Sequence, residues 1–140
     1  MKCKKIGNHD LDVPRMESMG AAGYDLRAAE SITLYPGQRK LVPTGWAIQI
    51  PEGMCGLVRP RSGHAVKHGL HVMAGLIDSD FRGELKVLLV NLGERPETYL
   101  YGDRVAQLVV VPIYQTAMRE VEELEKTERG AGAFGSTGRA

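Results

Sequence analysis

Apolar and polar positions alternate in short bursts along most of this chain, and glycine or proline separates one burst from the next. In residues 31–60, SITLYPGQRKLVPTGWAIQIPEGMCGLVRP, Ile32 and Leu34 alternate with polar neighbours, and Ala47-Ile48-Gln49-Ile50 repeats the period of two. That period sends successive side chains to opposite faces of a strand. Pro36-Gly37 and Pro51-Glu52-Gly53 supply turn chemistry between bursts, proline presetting φ and glycine accepting a positive φ. Two denser runs, ELKVLLVNLG and RVAQLVVVPIY, are predicted as strands buried on both faces.

Helical signals are few. SGHAVKHG predicts one or two turns, with Ser62 as N-cap and Gly69 as stop. MREVEELEKTERG has a helical composition, but Val121 and Leu124 make a sparse apolar face. Many short, regularly spaced strands predict an all-β sandwich or barrel. There is no internal repeat, and only the last dozen residues are low in complexity.

Composition narrows the function. At 140 residues and 43% hydrophobic, the chain suffices for one domain around one core. A net charge of +1 gives no broad field for nucleic acid or an anionic membrane, so any anion site must be local. Cys3 and Cys55 show no CxxC or metal-knuckle spacing and read as free thiols of a reducing cytoplasm. No run reaches the length of a membrane span, and the basic start MKCKKIGNHD lacks the apolar run of a signal peptide. A cytoplasmic protein is the expectation.

Five stretches carry more chemistry than turns require: AAGYDLRA (21–28), RPRSGHAVKHG (59–69), AGLIDSDFRGELK (74–86), GDRVAQL (102–108) and RGAGAFGSTG (129–138). Arg61 offers a planar fork of donors suited to phosphate oxygens, Ser62 a hydroxyl, and Gly63 room for close approach. A helix starting there would add free N–H groups; a capped turn with a solvated arginine is the plainer reading. Asp78 is expected at the end of a buried strand, where a carboxylate is costly unless paired or used. It can take a proton from water, or simply bond turn amides. Asp25 can orient Arg61 or a metal-bound water, or act as an ordinary turn acid. Gln107 interrupts an apolar strand, and its buried amide needs a partner, either phosphate or backbone. His64, His68 and His71 share a spacing that a helix could turn to zinc, but Gly69 breaks the helix and hydrogen-bonded or solvated imidazoles are expected. The glycine-rich tail lacks the lysine and following helix of a Walker motif, yet keeps Arg129, Phe134, Ser136 and Thr137.

In this order, from about residue 20 to the end, the five stretches resemble the five motifs of the trimeric deoxyuridine triphosphatases (dUTPases). Each motif is weak alone; five in order are specific. The resemblance implies an all-β β-clip, a distorted jelly-roll, assembled as a homotrimer with three sites shared between subunits. Residues 1–128 would form the β-clip and residues 129–140 a flexible, glycine-rich C-terminal lid of the same domain, closing over a neighbour's site. The implied reaction is dUTP to dUMP and pyrophosphate, which keeps uracil out of DNA and supplies dUMP for thymidylate synthesis.

By the same resemblance, Asp78 activates the water that attacks the α-phosphorus. Arg61, Ser62, Gly63 and Gln107 hold phosphates, and Arg129, Gly135, Ser136 and Thr137 close around the γ-phosphate. Phe134 stacks on uracil, whose edge is read by the 71–78 hairpin through Val72, Gly75, Leu76 and Ile77. Lys86 lies where the family often has a further substrate contact, and Asp25 supports Arg61 and the water shell of Mg2+ held chiefly by the triphosphate. Neither nucleic acid nor membrane is an implied partner. Three positions depart from the family pattern. Phe81 stands where tyrosine is usual, keeping the ring against C2′ without the hydroxyl. Ala133 replaces a lid glycine, and Met73 occupies a hairpin position often held by a small or differently polar residue. A dCTP deaminase of the same superfamily, and a non-enzymatic nucleotide-binding regulator on the same fold, are the competing classes. The Asp78 motif and the closing tail weigh against the first, and the water-activating acid against the second.

Overall fold

The computed structural model describes residues 1–133; Phe134, Gly135, Ser136 and Thr137 lie outside the described residues. Eleven short strands and one helix follow in the order β1 (Lys2–Lys5), β2 (Tyr24–Arg27), β3 (Ile32–Leu34), β4 (Arg39–Pro43), β5 (Trp46–Gln49), β6 (Met54–Arg59), α1 (Ser62–His68), β7 (Leu70–Met73), β8 (Leu76–Ile77), β9 (Lys86–Asn91), β10 (Glu97–Tyr99) and β11 (Arg104–Pro112). The fold is all-β. Among the described residues no helix is long and apolar enough to cross a membrane.

Two sheets carry most of the pairing, β2-β11-β6-β8 and β4-β9-β7, with smaller β1-β5 and β3-β10 pairs completing the shell. Every pairing is antiparallel. Leu26, Leu34, Val42, Val58, Val87, Leu89 and Leu108 meet in one core fed by both large sheets. Removing this apolar area from water is the main term holding the sheets together.

Both proline-glycine turns form where the sequence places them. Gly37 and Gly53 adopt φ of 76° and 75°, and the turns close through Gln38 N–H to Tyr35 O and Met54 N–H to Pro51 O. The dense runs differ from expectation. β9 alternates strictly, with Val87, Leu89 and Asn91 buried and Lys86 exposed, and β11 is buried only around Val105, Ala106 and Leu108. In a single chain each of these strands leaves one face partly open. Residues 113–133 are exposed throughout and form no helix, because the segment lacks a continuous apolar stripe to bury.

The N-terminal segment is tied down by β1 on β5 and by His9. The His9 ring accepts the Leu11 N–H at Nδ1 (3.2 Å), which leaves Nε2–H to donate to Gly45 O (2.7 Å). Gly45 has φ of 73°, and a Cβ there would lie 2.5 Å from the His9 ring. His9 also meets the buried Trp46 edge-on at 5.3 Å, and the Trp46 Nε1–H has no partner among the described residues.

Candidate active site

Strand register builds the first cleft. On β11, Gln107 lies opposite Asp25 of β2 on one side and Arg59 of β6 on the other. β6 ends at Arg59, and the chain passes Pro60 to reach Arg61 at the start of α1. Three residues distant in sequence are thereby set side by side. The β2–β11 register also slips between Arg104 and Ala106, making Val105 the extra residue of a bulge. A bulge bends its strand and re-aims neighbouring side chains. Here Arg104 Nη1 reaches Asp25 Oδ2 at 3.2 Å.

Asp25 is the hub. Its other oxygen, Oδ1, faces Arg61 Nε at 3.4 Å, and its side chain is 13% exposed against 28% for Arg61 and 39% for Arg104. One shielded carboxylate thus holds two more exposed guanidinium groups at the rim, leaving N–H donors of each for a ligand. The adjoining cleft, about 390 Å³, is lined by Asp25, Arg61, Ser62, Gly63, Lys67 and Gln107, with His64 and His68 alongside. Gln107 Nε2 donates to Pro60 O at 3.1 Å, so one amide hydrogen has the backbone partner and the second remains for a ligand.

α1 begins one residue earlier than expected. Arg61 is the N-cap (φ −81°, ψ 132°) without a side-chain capping bond, and Ser62 is the first helical residue, exposed in the cleft. Arg61 is extended and takes the cap position because Ser62 is already in the helical turn. Gly69 ends the helix as expected, at φ of 67°, because its backbone must pass against Gly93, where a Cβ would approach to 2.6 Å.

The imidazoles are hydrogen-bonded. Arg61 Nη1 lies 3.2 Å from His64 Nε2, and His64 Nδ1 lies 2.5 Å from the Tyr99 hydroxyl. Burial, then the Arg61 and His68 charges, push the His64 pKa below its ordinary value. Burial above all pushes the Tyr99 phenol well above its usual range. His68 Nδ1 meets Glu97 Oε1 at 2.9 Å, whereas His71 is exposed on β7. Among the described residues no three His, Cys, Asp or Glu side chains converge as metal ligands. Cys3 and Cys55 are unbridged.

The second cleft is separate. β7 and β8 are joined through Ala74 (φ 56°) and Gly75 (φ 99°), the latter accepting the Val58 N–H at 2.8 Å. A Cβ on Gly75 would sit 2.8 Å from Val58 O, so the left-handed turn and the close backbone approach both require glycine. Val72 is buried, Ile77 packs against the core and Leu76 is 63% exposed. Asp78 follows β8, and its carbonyl accepts the Phe81 N–H at 3.2 Å in the Ser79-Asp80 turn. Its carboxylate is exposed, which corrects the expectation of a buried strand end: β8 has only two residues and half of it faces outward. Asp78, Ser79, Asp80 and Arg82 line a cleft of about 590 Å³ with Gln49, Glu52 and Gln115.

Phe81 is 41% exposed, and its ring lies over Gly83, where a Cβ would approach Cζ to 2.7 Å. Lys86 pairs with Glu84 at 3.6 Å and lines neither cleft. Arg129 is exposed, its carbonyl accepting the Gly132 N–H. A single chain therefore unites Asp25, Arg61, Ser62, Gly63 and Gln107, and holds Asp78 elsewhere. The sequence reading missed Arg104, Lys67 and Tyr99. The first two lay within stretches already singled out; Tyr99 carried no local signal, since only the fold brings β10 against α1.

Comparison with known proteins identifies the family. The dUTPase family model matches residues 9–138. The deoxyuridine 5'-triphosphate nucleotidohydrolase of Anaeromyxobacter sp. (strain Fw109-5) is 52% identical over 143 residues, covering 99% of this chain and 97% of that protein. That of Bdellovibrio bacteriovorus is 48% identical over 144 residues, covering 100% and 97%. The Staphylococcus bacteriophage 80alpha dUTPase with dUPNHPP superposes with a TM-score of 0.91 at 30% identity, covering 98% of this chain and 97% of that one. A variant of the dUTPase from phage phi11 of S. aureus, whose structure describes coordination of a structural Mg(II) ion, gives 0.82 at 27% identity over 89% and 98%. With the family model spanning nearly its whole length, this chain belongs to the dUTPase family.

Proposed function

We propose that this protein hydrolyses dUTP to dUMP and pyrophosphate in sites shared by three copies of the chain. The observation that carries the reading is the division of the family's motif residues between two clefts, donors in one and the carboxylate in the other. A second copy presenting its Asp78 beside the first copy's Arg61 completes such a site. The exposed Leu76 and Phe81 beside Asp78 then lie against nucleotide and neighbour instead of water.

In the assembled site Arg61, Ser62, Gly63 and Gln107 bind the phosphates, with Asp25 bracing Arg61. Asp78 removes a proton from a water aligned with the α-phosphorus; the new P–O bond forms as the bond to the pyrophosphate oxygen breaks. Val72, Gly75, Leu76 and Ile77 shape the uracil pocket, and Phe81 fills the space at C2′, where a ribose would carry a hydroxyl. Lys86 is an additional substrate contact. Residues 1–128 form the body, and Arg129 with Phe134, Gly135, Ser136 and Thr137 close it from a third copy. Ordering that segment costs entropy, which contacts with nucleotide offset.

The donor set fits magnesium carried by the nucleotide. Asp25 is committed to two arginines, and no three-ligand cluster stands among the described residues, so the ion would take phosphate oxygens and waters, with Asp25 reached through water. When bound, it neutralises charge on the triphosphate. Two unbridged thiols, one of them the exposed Cys3, suit a reducing cytoplasm.

The test is pyrophosphate release measured across dUTP, dTTP, dCTP and UTP, with light scattering on the same sample. Release confined to dUTP by a trimer is expected. Ammonia from dCTP without pyrophosphate from dUTP, or full turnover by a monomer, overturns the reading.

A further inference from the structure

Arg61 is held at two points. Asp25 takes its Nε, and His64 lies 3.2 Å from its Nη1. The second contact fixes a proton. A guanidinium has only donors, so His64 Nε2 must be the acceptor and carry no hydrogen. The neutral ring then bears its hydrogen on Nδ1, aimed at the Tyr99 hydroxyl 2.5 Å away. Tyr99 is 4% exposed on β10, so its position is set by the core and not by solvent. Core, phenol, imidazole and guanidinium form one chain of contacts ending at the phosphate-binding rim.

We propose that His64 is a positioning residue for Arg61: as a neutral Nδ1–H imidazole braced on Tyr99, it accepts from Arg61 and aims the guanidinium into the cleft, and protonation of the ring releases it. Resting on the reading of this cleft as a phosphate site, the proposal adds a pH-dependent control of triphosphate affinity. A protonated ring has no acceptor for Arg61 and sets a second cation beside it. From its own helix and cap His64 faces Arg61, Lys67 and His68; β10 presents Glu97 and Tyr99; Asp103 comes from the turn before β11 and Arg104 from its first position. Glu97 is already engaged by His68, and Asp103 accepts the Leu100 N–H, so neither carboxylate is free to compensate a His64 charge in full. The lowered His64 pKa agrees, keeping the ring neutral at ordinary pH and confining its release to acid.

Two measurements decide it. In the full-length protein with labelled histidine, the ring 15N shifts of His64 (assigned by their loss in His64→Gln) should report the Nδ1–H tautomer at neutral pH. An Nε2–H tautomer, or a charged ring, overturns the proposal whatever the enzyme does. KM and kcat for dUTP are then followed against pH. His64→Leu should raise KM about tenfold at neutral pH with little change in kcat, the factor expected for one charge-assisted hydrogen bond. His64→Gln, which keeps a neutral acceptor, should restore most of that loss and abolish the extra rise of KM in acid. His68→Gln should keep the rise. Titration of the nucleotide's own phosphate is common to all variants and cancels in the comparison. An unchanged KM in His64→Leu, or the same acid limb in wild type and His64→Gln, overturns the clamp. A wild-type protein that does not hydrolyse dUTP would remove the functional reading instead, and the ring tautomer would still decide whether His64 holds Arg61 as described.

Discussion

The two clefts are built on opposite principles. Around Arg61, charges are paired before any ligand arrives: Asp25 serves two arginines, His64 takes a third contact, and a strand bulge aims Arg104. Around Asp78 little is arranged in advance. The carboxylate follows a two-residue strand, faces water, and has exposed Leu76 and Phe81 for company. The difference teaches where the fold places its organising effort. Polyphosphate needs donors held in fixed geometry, which costs packing within the chain. A base needs only a correct approach, and a neighbouring copy can supply the surface that completes it.

The sharpest way to break this comparison is at the exposed carboxylate. Asp78→Asn should lower kcat by about a thousandfold, within the range for a lost general base, while thermal stability and dUTP affinity stay near wild type. A large fall in stability would mean that Asp78 is structural after all. Asp25→Asn should behave in the contrary way. It leaves Arg61 and Arg104 against a neutral amide, so KM should rise about tenfold or more and unfolding free energy should drop by about 1–2 kcal/mol. Calorimetry beside steady-state kinetics separates the two variants; equal stability losses would erase the contrast between clefts. The smallest effect is expected at Gly83→Ala. The added methyl must push the Phe81 ring, which is free to move because it is partly exposed. Stability should hardly change, while the preference for dUTP over UTP should fall by a few-fold, about what one displaced apolar contact accounts for. Undiminished preference would remove Phe81 from sugar selection.

How much of this was legible beforehand follows from the range of the forces involved. The Pro36-Gly37 and Pro51–Gly53 turns and the stop at Gly69 were readable because φ preferences act within a few residues. Strand burial was over-read: ELKVLLVNLG is apolar enough for two buried faces, yet one chain covers only one. The helix cap lies at Arg61 and not at Ser62 because the helical turn already includes Ser62; serine's preference for caps is only one influence on where a helix starts. The convergence of Asp25 and Gln107 depends on the register of β2 with β11, and nothing in either stretch alone encodes it. Only the ordered set of five motifs pointed there. The exposure of Asp78 was misjudged for a related reason, since a carboxylate after Leu76-Ile77 looks buried until the strand proves to be two residues long.

The edge-on contact of His9 with Trp46 has a practical consequence. Trp46 is the sole indole of the chain, so intrinsic emission is a single-site probe of one buried corner. Water reaching the ring reddens its emission. Colour should therefore report the peeling of the N-terminal strap, an optical readout from one side chain.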